Sequence, residues 1–213
     1  MTKETKIAPA PRQARAKATI DQVILATSGA LDEFGEAGVR IQDISAATGV
    51  SIGSIYHHFG DRDGLVRATL VHNFSNHARS DIERVRRWAV NIHSSGDLRA
   101  QYDIMLAFLN EHNDAQAALN RASIVGSAAA RPLLREAIAR VQHELTESLT
   151  EAMQLLADRG ILQSFIQPRA AAIVLQGLLF GRVIAILDTT PLDDEEWNRT
   201  MLVALRGLVK FED

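Results

Sequence analysis

Ser51 sits in the run Gly49-Val50-Ser51-Ile52-Gly53, the spacing of a nucleophile elbow, where a strained strand-to-helix turn exposes a serine hydroxyl for acyl transfer. That chemistry needs a strand before the serine and a parallel sheet around it. The preceding residues, Asp43–Thr48, have helical spacing instead, so the hydrolase reading lacks its context. His57 and His58 suggest a metal, but neighbouring helical positions point in different directions and hold no ion between them. The chain has no cysteine, which removes thiolate metal sites, disulfides and cysteine nucleophiles. No catalytic set and no cofactor is expected. The same group of side chains suits a different chemistry, since Ser51, Ser54, Tyr56, His57 and His58 can hydrogen-bond to phosphate oxygens or to base edges.

To act together these residues must be carried on a short rigid element, and the flanking sequence supplies one. Ile41–Thr48 reads as a short helix, Gly49 as the turn residue that enters left-handed backbone without steric cost, Ser51 as an N-cap, and Ile52–Phe59 as a second short helix. Ile44, Ala47, Val50, Ile55 and Phe59 can face inward, leaving Ser54, Tyr56 and His57 at the outer face. Short helix, glycine turn, short helix is the helix-turn-helix pattern. By pattern alone, a helical hairpin that binds protein remains open.

Helical spacing runs through the whole chain and predicts an all-α fold. A first helix carries Ile20, Val23, Ile24, Thr27, Leu31 and Phe34 on one stripe and fades near Gly35 and Gly38. Asp61 and Asp63 favour the start of a long fourth helix towards Trp88. Helices near 97–112 and 114–127 follow, then one opened by Pro132 with Leu134, Ile138, Val141, Leu145, Leu149, Met153 and Leu156 on its stripe. Pro168 opens another, and Asp193 or Asp194 caps the last.

From about residue 24 to 67 the chain resembles the DNA-binding domain of the tetracycline-repressor (TetR) family. Ala30, Leu31, Phe34, Gly38, Asp43-Ile44, the run Gly49-Val50-Ser51-x-Gly53-Ser54-Ile55-Tyr56-His57-His58-Phe59, Arg62 and Leu65 carry the likeness. The resemblance implies that Ile52, Gly53 and Tyr56 approach bases while Ser54, His57 and His58 touch phosphates, with Ser51 at the same edge. Arg62, where the family usually has lysine, is implied to reach a phosphate from the fourth helix, and Arg40 and Gln42 are further candidates. Ile52 also stands where lysine is common, and could meet a thymine methyl. The implied architecture is a three-helix N-terminal domain joined by a long helix to a larger helical ligand-binding and dimerisation domain. The expected divisions are a basic flexible arm over 1–18, the DNA-binding domain over 19–67 and the regulatory domain over 68–213.

In that second half the sequence offers two groups. Tyr102, Met105, Phe108, Leu109 and His112, with Met153, Leu156, Phe165, Gln176 and Phe180, could line a cavity for a small, mainly hydrophobic effector. Ala170–Leu187 is apolar nearly all round, but Gln176 and Arg182 interrupt it, and an arginine at mid-bilayer costs at least ~2.5 kcal/mol. A helix buried between subunits is expected instead of a membrane span. Leu175, Gly177, Leu178, Gly181 and Arg182, with Trp197, Met201, Leu205 and Leu208 of the last helix, form the expected homodimer face.

The net charge of -3 gives no global sign of nucleic-acid binding, yet residues 1–20 hold Lys3, Lys6, Arg12, Arg15 and Lys17 against Glu4 alone. That basic arm could lie along phosphates. Its polar composition shows no secretory leader, and a cytoplasmic operator-binding protein is the resulting expectation.

Overall fold

A computed structural model describes residues 12–100, 115–190 and 192–210. The chain divides between Asn73 and Phe74 into two compact units.

The first unit contains α1 (Arg12–Gly38), α2 (Ile41–Thr48), α3 (Ile52–Phe59) and the opening turns of α4 (Arg62–Asn91). Residues 12–18, expected in the arm, are helical: the helix opens directly after Pro11, and Lys17 reaches Asp21 one turn on at 2.7 Å. Val23, Ile24 and Thr27 are buried as their spacing predicts, with the threonine hydroxyl satisfied by the Val23 carbonyl at 2.7 Å. Phe34 departs from its stripe and is exposed. The reason is local: Gly35 takes φ 66°, which breaks the helix one residue later. The turn beyond the break closes tightly, and a Cβ on Gly38 would stand 2.3 Å from the Phe34 Cβ.

Val23, Ile41, Ile44, Ile55 and Leu65 form the core of this unit, flanked by Ala26, Ala30, Val50 and Phe59. Each of the five contributes roughly 2 kcal/mol by leaving water, and together they fix α2 and α3 on α1 and α4. Ala47, expected inward, is exposed: α2 has only eight residues, and Ile41 and Ile44 provide its buried face.

The second unit contains the remainder of α4, then α5 (Ser95–Ala100), α6 (Ala115–Ala129), α7 (Pro132–Asp158), α8 (Pro168–Leu187) and α9 (Asp194–Arg206). Proline occupies the first turn of α7 and of α8, where its missing N–H is no loss. Asp193 caps α9 by accepting from the Glu195 and Glu196 amides at 3.1 and 3.3 Å. Helices α6, α7 and α8 pack on one another, with α9 against α8. The core runs from Ala89 and Ile92 through Leu149, Ala152, Met153 and Leu156 to Ile161, Leu162, Ala171 and Ala172. Arg159 satisfies carbonyls at the end of α4, donating from Nη1 to Ala89 at 2.9 Å and to Ile92. Among the described residues β structure is limited to one isolated bridge, Leu162 to Val209.

Candidate nucleic-acid interface

The turn between α2 and α3 is held from several sides. Gly49 adopts φ 69°, ψ 4°, and its amide donates to the Ser45 carbonyl at 2.9 Å. Ser45 Oγ donates to the Val50 carbonyl at 2.7 Å, and Thr48 Oγ1 donates to Ile44 at 2.7 Å while accepting from the Val50 amide at 3.3 Å. Gln22 of α1 reaches the Thr48 carbonyl at 3.0 Å. Ser51 caps α3 by accepting from the Ser54 amide at 3.2 Å, so its hydroxyl serves the helix end. The segment before it is helix and no strand adjoins it, so the nucleophile-elbow context is absent. Ser45, Thr48 and Gln22 were not singled out by sequence, since isolated Ser, Thr and Gln give no periodic signal.

On α3, Ile55 is buried while Ile52 and Tyr56 remain 38% and 44% exposed. Ser51, Gly53, His57 and His58 share that exposure, and Ser54 is half-buried. The two imidazoles meet edge to face at 5.3 Å between centroids. Among the described residues a Cβ on Gly53 would meet nothing within 4 Å, so no packing among them calls for glycine. Arg40 and Gln42 are exposed at the start of α2. Thus Arg40, Gln42, Ser51, Ile52, Gly53, Tyr56, His57 and His58 are accessible in one domain. Arg62 is different: Nε donates to the Val39 carbonyl at 2.8 Å, Nη2 to the Glu36 carbonyl, and Nη1 to Asp63 at 3.2 Å.

Of the expected effector-site residues, Tyr102, Met105, Phe108, Leu109 and His112 lie outside the described residues. The others differ in their surroundings among the described residues. Met153 and Leu156 belong to the packed core, Phe165 is 81% exposed, and Phe180 lies on the outer side of α8. Gln176 hydrogen-bonds Gln142 and, at 3.3 Å, Thr146 Oγ1. Helical spacing could not separate core from cavity because both use the same apolar stripe.

The expected dimer residues also divide. Leu175 and Leu208 pack against their own core, and Met201 is buried. Gly181 faces Trp197, with a would-be Cβ 3.7 Å from the indole, whereas Gly177 faces open space. Arg182 is buried, pairs with Asp194 and lies 5.7 Å from the Trp197 ring centroid. Burial pushes its guanidinium pKa below the usual range, and Asp193 opposes that shift. Leu178 and Leu205 are half-buried. The apolar surface left uncovered is formed by Ile173, Val174, Phe180, Ile184 and Leu187 on α8, and by Val203 on α9. By length and composition α8 could cross a membrane, and only 17% of its most apolar window is buried.

A capped short helix following a left-handed glycine turn, with its inner face on a three-helix core and its outer face open, defines a helix-turn-helix domain. Residues 26–69 match the family described as bacterial regulatory proteins, tetR family. The first unit thus carries a DNA-binding domain of the tetR type. Over 97 residues the chain is 32% identical to the HTH-type transcriptional regulator BetI of Burkholderia thailandensis, covering 41% of this chain and 50% of that protein. The chain thus spans about half the length of this curated relative. A TetR-family regulator from Mesorhizobium loti shares the fold with a TM-score of 0.71 at 21% identity, covering 91% of this chain and 96% of that one. A transcriptional regulator from Saccharomonospora viridis, solved in complex with choline, does so at 0.65 and 13%, covering 91% and 99%.

Proposed function

We propose that this protein is a sequence-specific DNA-binding transcriptional regulator, a homodimer that occupies operator DNA and represses by occlusion. The observation that carries the reading is the outer face of α3, where Ile52, Gly53 and Tyr56 are exposed on a helix whose turn and cap are internally bonded. Gly53 sharpens it. Glycine is a poorer helix former than alanine, and at this first-turn position a surface that must admit another backbone closely gives a reason to keep it. A major groove about 12 Å wide accepts such a helix. Arg40, Gln42, Ser54, His57 and His58 then serve phosphates around the bases read by α3.

Dimerisation through α8 and α9 is the companion proposal, supported by the uncovered apolar residues of those helices. In this reading a second copy covers α8, and no membrane partner is involved. The bonds of Gln176 to α7 and of Arg182 to Asp194 favour packing against protein. A small, mainly hydrophobic effector in the second unit is the regulatory part of the reading; the choline-bound relative is a precedent for small-molecule binding in this fold. Effector binding would shift α4 and change the spacing of two recognition helices, which operator half-sites fix at about 34 Å or a multiple. The cytoplasm, where operators lie, is the proposed location.

The deciding experiment is selection of duplexes from a random-sequence library by the full chain. Recovery of a common half-site repeated with two-fold symmetry, bound with a steep loss of affinity as salt rises, is expected. Recovery of no preferred sequence, or salt-insensitive association, would replace this reading with a protein-binding helical module.

A further inference from the structure

The geometry points to Arg62 as a positioning residue that holds the helix-turn-helix in its DNA-competent pose, a role distinct from contacting a phosphate. The inference rests on the proposed reading of α2 and α3 as the DNA-binding element. Its starting point is the break at Gly35. Once the helix is interrupted there, the carbonyls at and just beyond the end of α1 lack the amides four residues on that a continuing helix would supply, and Glu36 accepts instead from the Val39 amide at 3.3 Å. Two of them, on Glu36 and Val39, receive the Arg62 guanidinium through Nη2 and Nε, and Nη1 is directed to the neighbouring Asp63 carboxylate. All three guanidinium nitrogens therefore have partners within the domain. An approaching phosphate would have to displace these bonds and would also meet the exposed negative charge of Asp63.

What the clamp holds is the entry to α2. Val39 is buried, and Arg40 immediately follows it at the N-cap of α2, with no side-chain bond of its own to fix that end. On the other side, Arg62 begins α4 directly after the Asp61 side chain accepts from the Gly64 amide at 2.6 Å. The guanidinium thus connects the last turn of α1 to the first turn of α4, the two elements between which α2 and α3 are suspended. A planar fork can serve two carbonyls at once; an ammonium is a point charge on a flexible stem and cannot reproduce that geometry. Lysine at this position would keep the charge and lose the clamp, which lets the two roles be separated.

The test compares the full-length chain with R62K and R62M on the duplex that the unaltered chain selects from a random library, titrated at several salt concentrations. Amide hydrogen exchange of the same three proteins without DNA is measured alongside. If the clamp positions the domain, R62K binds roughly tenfold more weakly at every salt concentration, as expected from losing hydrogen bonds to a charged donor and so depleting the competent pose. Its salt slope stays that of the unaltered chain. Exchange at residues 36–44 accelerates in both variants, while Leu149–Leu156 in the second unit keeps its protection. The inference is overturned if R62K matches the unaltered chain in affinity and exchange. It is equally overturned if R62M makes the slope shallower by about 0.9 per subunit, the mark of one lost phosphate contact, with exchange unchanged. Should the unaltered chain select no duplex, the DNA-binding reading falls and the exchange result alone decides whether Arg62 holds the entry to α2.

Discussion

Gly53 and Gly64 are the same residue type for opposite reasons, and the difference yields two predictions. Nothing among the described residues lies where a Cβ on Gly53 would stand, whereas one on Gly64 would fall 2.0 Å from the Phe59 carbonyl oxygen. Gly53→Ala should therefore stabilise the free protein by roughly 0.4–1 kcal/mol, the gain from a less flexible unfolded chain, and at the same time weaken operator binding. A higher Tm with unchanged affinity would remove Gly53 from the DNA interface. Gly64→Ala should destabilise the domain by about 1–3 kcal/mol, the usual range for forcing an atom into occupied space, and lower the unfolding temperature of the first unit. An unaltered Tm would mean that the junction of α3 and α4 relaxes freely. The turn at Gly49 and the Ser51 cap were legible in sequence because each is decided within a few residues. Arg62 and Gly64 were not, since their partners are a broken helix end 23 and 26 residues away and a carbonyl on the preceding helix.

At the scale of elements, α8 shows how far pattern reaches. Its extent and the proline at its start followed from the sequence, yet an all-round apolar helix carries no periodicity to say which side meets its own core. Small residues suggested that Gly177 and Gly181 share an intersubunit seam. The structure turns Gly181 towards Trp197 and Leu175 towards the core, leaving Ile173, Phe180, Ile184 and Leu187 along the uncovered side. These four follow a spacing of seven, four and three residues, which keeps them on one face of a helix. Ile184, 76% exposed, is the place to probe that face. Ile184→Glu removes little internal packing, so the folded unit should survive while a subunit contact would acquire a buried, unpaired charge. Sedimentation equilibrium should find the unaltered chain dimeric and the variant shifted towards monomer, with operator affinity reduced as the second half-site contact is lost. A variant that remains a dimer would move the subunit contact away from this face.

Across the whole molecule, charge is divided in a way that the net value of -3 conceals. From Thr19 to Asn73, the part holding the helix-turn-helix, Arg40, Arg62 and Arg67 face seven acids: Asp21, Asp32, Glu33, Glu36, Asp43, Asp61 and Asp63. A domain with net charge -4 is poorly suited to approach a polyanion, and Arg62 is already bonded to two carbonyls. The compensating charge is in the first seventeen residues, where Lys3, Lys6, Arg12, Arg15 and Lys17 outnumber Glu4. Counterion release makes the proposed assignment measurable, because each neutralised phosphate adds about 0.9 to the slope of log affinity against log salt. Replacing Lys3, Lys6, Arg12 and Arg15 by glutamine, and leaving Lys17 with Asp21, should lower affinity and make that slope shallower by about 0.9 for every contact removed. The preferred sequence should stay the same, since phosphate contacts position a protein and base contacts specify. Helix α1 should not suffer, because cations at a helix N-terminus oppose its dipole. A slope left unchanged by the four substitutions would mean that this acidic domain binds DNA through Arg40, the histidines and base contacts alone, and would predict a correspondingly weak dependence on salt in the unaltered protein.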